Sequence, residues 1–158
     1  MDRIAAIRSQ LADAWIPAIY REKVRVQRTR SVKLDVPARY NSAEIQYTLL
    51  GVELKVGKRR IACPDLAAAR YMRVFARAGV PDVAMPYDIT KVSVIADELE
   101  TAWHLLLLLV DSESRGMSAG ARTRLRNQAV RAVRDEIASI GAGDAMPAFD
   151  RETRQRPR

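Results

Sequence analysis

The fold class is decided by the stretch EIQYTLLGVELKVGKRRIAC, which occupies residues 44–63 of a chain of 158 residues. Apolar and polar residues alternate on both sides of Gly51, as expected of strands that bury one face. The pair at 57–58 fits a two-residue hairpin turn, and this register places Leu54 opposite Ile61. The phase of the alternation shifts at Gly51, which predicts a bulge or tight bend there. The centre of the chain is therefore predicted to be mostly antiparallel β-structure.

Helical patterns lie on both sides of this centre. Apolar spacing predicts a helix from residue 2 to about 28, broken near Trp15 because Pro17 is tolerated only in a first helical turn. The other predicted elements are a strand at 32–36, a helix capped by Asp65 and ended by Gly79, a short strand at 80–85, a helix capped by Asp88 or Thr90, and a helix from Ser118 to Ile140. This order predicts an α+β fold with helices on one face of a sheet.

The length of the chain is that of one domain, in which folding buries roughly 70% of the surface of the unfolded chain. The composition, with 48% hydrophobic and 29% charged residues, is that of a globular protein. We predict a single domain over residues 1–143. The glycines at 141 and 143 end the last helical pattern, and residues 144–158 are predicted to be a flexible basic tail.

The N-terminal residues and the single cysteine favour a cytoplasmic protein. Residues 1–4 carry no apolar core of a signal peptide, and the longest apolar run, 105–110, is far shorter than the roughly 20 residues that span a bilayer. Cys63 has no second cysteine to pair with. The hairpin register places Cys63 opposite Val52, so we interpret its thiol as a small hydrophobic group. We expect no association with a membrane.

Positive charge is in excess, with 27 Lys and Arg against 19 Asp and Glu and a net charge of +8, which attracts polyanions. No acidic residue occurs from 115 to 134, where Arg124, Arg131 and Arg134 share one face of a predicted helix. Guanidinium groups at this spacing could follow a phosphate backbone. Alternatively, the acidic helical stretch at 92–114 packs beside these arginines and neutralises them, either within the fold or across an interface. Two further basic runs are residues 21–33 and the arginines of the tail at 151, 154, 156 and 158.

The helix that starts near residue 89 is apolar nearly all round in its second half. Its core stripe is Val92, Ile95, Leu99, Trp103, Leu106 and Val110. Leu105, Leu108 and Leu109 point to the other sides. Such a helix is either buried at the centre of the core or covered by a second copy or a partner protein, and we carry both interpretations forward.

Metal and cofactor motifs are weak. His104 is the only histidine, and Asp97 and Glu100 lie on the same flank of its helix, so a carboxylate–imidazole metal site is conceivable beside the simpler interpretation of a Glu–His contact. The glycines at 51 and 57 are spaced wrongly for a phosphate-binding loop, and Arg59 replaces its Ser or Thr. No dinucleotide fingerprint follows a strand, so we predict no cofactor and no metal.

One catalytic pattern lies on the central strand, where Glu53 and Lys55 are two residues apart on one face. With a helix and two strands before it and a helix and a strand after it, this pattern resembles the core of the PD-(D/E)xK nuclease superfamily. The resemblance implies that Glu53 and Lys55 hold a divalent metal and the attacking water, with an aspartate upstream. The upstream Pro-Asp pair is missing, which leaves Asp35 or Glu44 in its place. Alternating Glu and Lys is also typical of any half-exposed strand.

Three functional hypotheses follow from the sequence. The leading one is a non-enzymatic accessory or structural subunit that self-associates or docks on a larger complex, near nucleic acid. The second is a stand-alone basic nucleic-acid-binding protein that uses Arg124, Arg131 and Arg134. The third is a metal-dependent nuclease that uses Glu53 and Lys55.

Overall fold

The structure, a computed structural model, describes residues 2–142, so the predicted tail lies outside the described residues. The helices are α1 (Arg3–Leu11), α2 (Ile16–Ile19), α3 (Leu66–Arg77), α4 (Ile89–Glu113) and α5 (Ala119–Ile140). A 3₁₀ turn (Ala12–Ala14) precedes α2, and a π-helical turn (Tyr20–Val24) follows it. The strands are β1 (Thr29–Lys33), β2 (Glu44–Thr48), β3 (Gly51–Val56), β4 (Arg59–Cys63) and β5 (Asp82–Pro86). The predicted α+β fold and its order of elements are confirmed.

The strands form two antiparallel sheets rather than one. β1 pairs with β5, and β2, β3 and β4 form a separate sheet in that order. The predicted first strand at 32–36 is displaced, because β1 ends at Lys33 and Asp35 adopts a positive φ of 52°. The backbone N–H groups of Leu34 and Asp35 both donate to the carbonyl oxygen of Pro81. This bend turns the chain out of the ladder and separates the two sheets.

The predicted register of the central hairpin is confirmed. Leu54 pairs with Ile61, and Val52 pairs with Cys63. The bend predicted at Gly51 is a hairpin turn between β2 and β3, so Leu49 lies in the turn and not in a strand. Burial raises the pKa of Cys63 to about 11, so its side chain is a thiol at neutral pH, as its apolar surroundings predicted.

Short polar side chains start the long helices where the sequence placed them. Asp65 accepts a hydrogen bond from the N–H of Ala68 at 2.8 Å, and Ser118 accepts one from Ala121 at 3.1 Å. Of the two candidates for α4, Asp88 is the cap. The first helical stretch is broken at residues 12–15, as Pro17 predicted.

One hydrophobic core joins all of these helices. Tyr20, Tyr71 and Phe75 lie at its centre, where both tyrosine rings contact the ring of Phe75. The hydroxyl of Tyr20 accepts a hydrogen bond from the N–H of Ala84 and donates one to the carbonyl of Gly141. This hydroxyl therefore connects β5 to the end of α5. Within residues 2–142, no helix combines the length and the apolar character that crossing a bilayer requires.

Candidate functional site

Five arginines line a groove of about 430 Å³ between α5 and the segment that precedes β2. We call it the arginine groove. No carboxylate is among the described residues that line it, which are Ala38, Arg39, Tyr40, Arg124, Arg126, Asn127, Gln128, Arg131 and Arg134. The structure thus brings together the three arginines that the sequence singled out, and it adds two more. The concentration of positive charge in one concave surface makes this groove the candidate site.

The amphipathic pattern of α5 directs its arginines into the groove. Leu125, Ala129 and Val133 recur at four-residue spacing and are buried in the core. Arg124 and Arg131 lie on the opposite side of the helix and are exposed. Because the buried stripe fixes the rotation of α5, the two guanidinium groups emerge on one face.

The three predicted arginines differ in how firmly they are held. Arg124 has no hydrogen-bond or ion-pair partner among residues 2–142. Arg131 lies 3.6 Å from the carboxylate of Asp135, an exposed pair of a kind that contributes only about 0–1 kcal/mol. Both can therefore turn toward an anion at little cost.

Arg134 has a structural role that the sequence did not reveal. It donates a hydrogen bond of 3.0 Å to the carbonyl of Ala78, which follows the last turn of α3. Burial lowers the pKa of Arg134, and the nearby charge of Arg131 lowers it further, against the opposite effect of Asp135. Arg134 therefore anchors α5 to α3 and also lines the groove.

The opposite wall of the groove is held against the end of α3 by Asn41. This buried side chain donates hydrogen bonds to the carbonyls of Pro37 at 2.9 Å and Ala76 at 3.1 Å. Its oxygen accepts a hydrogen bond of 3.3 Å from the Nε of Arg39. The backbone of Arg39 also lies so close to Gly79 that an added Cβ at Gly79 would be 2.3 Å from its carbonyl oxygen. Arg39 does not belong to a helix, and its position is therefore fixed by the packing of its segment against the end of α3.

Tyr40 is an aromatic member of the groove that the sequence did not reveal. The guanidinium carbon of Arg126 lies 4.1 Å from the centroid of the Tyr40 ring, a close cation–π contact. The same ring stacks on Trp103 of α4, with centroids 5.8 Å apart. Because both groups already occupy the ring, Tyr40 orients Arg126 rather than offering a surface to a nucleic-acid base. A single tyrosine in a connecting segment gives no sequence signal for this contact.

The carboxylates of α4 do not pair with the arginines of α5. Glu100 accepts hydrogen bonds from Arg70 at 2.6 Å and from Arg73 at 3.0 Å, both on α3. Arg70 also pairs with Asp97. The remaining ion pair of these carboxylates among residues 2–142 joins Glu98 to Lys23. These contacts therefore contradict one alternative from the sequence, in which the acidic helix of the same chain neutralises the arginines of α5.

The three leucines of the predicted interface differ in exposure. Leu108 is 63% exposed and Leu105 is 39% exposed, whereas Leu109 is half-buried and packs against the core. The interpretation that α4 is buried on every side is therefore wrong.

His104 is exposed. The Glu–His contact expected from the sequence is wrong, because the carboxylate of Glu100 is engaged by the arginines of α3.

The residues of the nuclease pattern lie on β3 without a cluster of acids. Glu53 accepts a hydrogen bond of 2.6 Å from Arg60 and pairs across the sheet with Gln46. Lys55 pairs with Glu44, while Asp35 contacts Arg59 at 3.5 Å. Among residues 2–142 no group of three or more His, Cys, Asp or Glu side chains could share a metal ion. β5, the strand that follows α3, pairs outside the sheet that carries Glu53.

Comparison with known proteins adds nothing to this geometry. No family model, curated protein or solved structure matches the chain. The function is therefore inferred from the residues of the site.

Proposed function

We propose that this chain is a non-enzymatic accessory protein that holds the phosphate backbone of nucleic acid in the arginine groove. The observation that carries the proposal is a concave surface lined by five arginines and no described carboxylate. Guanidinium groups bind phosphate oxygens through paired hydrogen bonds, and the planar fork makes arginine better suited to this than lysine.

The spacing of the groove residues favours a chain of phosphates over one phosphate. Arg124 and Arg131 are seven residues apart on α5, which corresponds to about 10 Å along the helix axis. One strand of duplex DNA presents a phosphate about every 3.4 Å along its axis. The two guanidinium groups therefore face different phosphates of one backbone. Base specificity is not expected, because Tyr40 is engaged by Arg126 and Trp103.

A salt titration of duplex binding tests the proposal. With about four phosphate contacts, log K is expected to fall with log salt at a slope near −4, and Arg124→Ala/Arg131→Ala is expected to reduce the slope by about 2. Fluorescence anisotropy with labelled DNA and RNA duplexes of unrelated sequence measures both quantities. The matched control is Arg115→Ala/Arg122→Ala, which removes the same charge from exposed positions outside the groove.

Equal slopes in all three proteins would remove the groove from nucleic-acid binding. A chain that ends at Gly143 measures the share of binding that the tail arginines contribute. If the duplex were instead cleaved in the presence of magnesium, and cleavage were lost in Glu53→Ala and in Lys55→Ala, the nuclease hypothesis would replace this proposal.

A second candidate function is self-association or docking on a partner protein through α4. The observation that favours it is the exposure of Leu105 and Leu108, two large apolar side chains one helical turn apart. Leaving a leucine in water forgoes roughly 1.5–3 kcal/mol that burial would contribute. A docking role is compatible with phosphate binding, because neither leucine lines the arginine groove.

Substitutions on α4 separate a docking surface from the core. Leu105→Glu/Leu108→Glu is expected to fold with nearly unchanged stability and to lose any association through α4. Leu109→Glu is expected to lose about 2 kcal/mol of unfolding free energy, because it places a charge against the core. Urea unfolding and sedimentation velocity provide the two readouts. An unfolded double variant would show that Leu105 and Leu108 belong to the core after all.

A further inference from the structure

The outer edge of β2 lacks the features that keep sheet edges from pairing. An edge strand exposes backbone N–H and C=O groups, and natural proteins protect such edges with charged side chains or prolines. β2 ends its sheet, and its only charged residue is Glu44 at the start of the strand. The other described strands at sheet edges carry Arg30 and Lys33 on β1, Arg59 and Arg60 on β4, and Pro86 on β5.

The end of β2 is also the most exposed apolar part of the described chain. Tyr47 is 72% exposed, and Leu49 and Leu50 in the following turn are fully exposed. Tyr47 belongs to the face of the sheet on which Leu54 is buried, but α3 covers this face only as far as Ile45, which is half-buried. An unprotected edge and an uncovered apolar face therefore occur at the same place.

We propose that β2 pairs with β2 of a second copy of this chain, antiparallel and about a two-fold axis through Gln46. This register pairs all five residues of each strand. It places Ile45 beside Tyr47 of the second copy and Gln46 beside its counterpart, where the two amides can bond to each other. Glu44 faces Thr48, so no two like charges are opposed, and the strand is complementary to itself.

The α3 helices of the two copies do not obstruct this pairing. It joins two three-stranded sheets into one of six strands, with α3 of both copies on the same face. Among the strands, α3 packs mainly against β3, so the two helices are separated by the three strand spacings between β3 and β3 of the second copy, about 14 Å. A helix with its side chains is about 10 Å wide, so the helices do not collide. The second copy covers Tyr47, and the leucines of both turns flank the paired strands.

Sedimentation velocity on the full chain and two variants tests the proposal, which rests on neither the groove nor α4. The wild type is expected to be a dimer at high micromolar concentration. Tyr47→Lys/Leu49→Lys is expected to weaken dimerisation at least tenfold, because lysines on an edge strand block pairing. Ile89→Lys/Val94→Lys, which changes two other exposed apolar residues on α4, is the matched control, and it is expected to dimerise as the wild type does. Circular dichroism verifies that both variants are folded.

A cysteine placed at the symmetry axis tests the register independently. In a Cys63→Ser chain, Gln46→Cys is expected to form a covalent dimer on mild oxidation, because paired residues at the axis bring their Cα atoms within disulfide range. Ala62→Cys on the β4 edge is expected to remain a monomer. The proposal would be overturned by a monomeric wild type, by a dimer that Tyr47→Lys/Leu49→Lys weakens no more than Ile89→Lys/Val94→Lys does, or by equal cross-linking of both cysteines.

Discussion

A Gly79→Ala chain is expected to lose about 3 kcal/mol of unfolding free energy, a large effect for one added methyl group. Two causes act together. Gly79 has a φ of +78°, which an alanine adopts only with strain of about 1–3 kcal/mol. The added Cβ would also lie 2.3 Å and 2.4 Å from the backbone oxygen and nitrogen of Arg39, and backbone atoms cannot rotate away as a side chain can.

The matched control for this substitution is Gly116→Ala. Gly116 has a similar φ of +84°, but a Cβ there would meet no atom within 4 Å. Its loss in urea unfolding is therefore expected to be about 1 kcal/mol, and the difference between the two variants measures the close approach of Arg39. Since Arg39 lines the arginine groove, folded Gly79→Ala should also bind duplex more weakly. Equal losses of stability would show that the two segments are not tightly packed.

The parts of the fold that depend on neighbouring residues could be predicted from the sequence. The register of Leu54 with Ile61 follows from a two-residue turn and an alternating pattern, and both are local. The division into two sheets is not local. It depends on the pairing of β1 with β5, whose partners are 49 to 57 residues apart in sequence, and on a positive φ at Asp35, a residue type that gives only a weak signal for this conformation.

The candidate site also has a local part that the sequence predicts and a part that depends on tertiary packing. Helical periodicity by itself places Arg124 and Arg131 on one face of α5. Arg39 and Tyr40 could not be found, because they reach the groove only through the packing of a connecting segment on α3. The partners of Glu100 were also beyond the sequence, since the angle at which α3 meets α4 decides which arginines its carboxylate reaches.

The second large effect is expected at Glu100, because its carboxylate pairs with Arg70 and Arg73 and so connects α4 to α3. The side chains of Glu100, Arg70 and Arg73 are each about one-quarter exposed. Removing the shared carboxylate leaves Arg73 without an ion-pair partner among residues 2–142 and leaves Arg70 with Asp97 alone. Glu100→Gln is therefore expected to lose about 2 kcal/mol at neutral pH, less than the 3–5 kcal/mol of a fully buried pair because water still reaches the site.

The pH dependence identifies the charge as the cause of this loss. Burial alone would raise the pKa of Glu100, but hydrogen bonds from Arg70 and Arg73 outweigh it and hold the pKa below its usual value. A lowered folded-state pKa contributes stability that is complete above the unfolded value of about 4.3 and is lost as the pH falls through the folded value. The difference in unfolding free energy between wild type and Glu100→Gln, measured by urea unfolding, should therefore narrow below about pH 4.

The control is Glu98→Gln, which removes a more exposed pair with Lys23 and should change stability by at most about 1 kcal/mol. If the difference in unfolding free energy between wild type and Glu100→Gln stayed constant as the pH fell, the loss would come from packing rather than from the ion pairs.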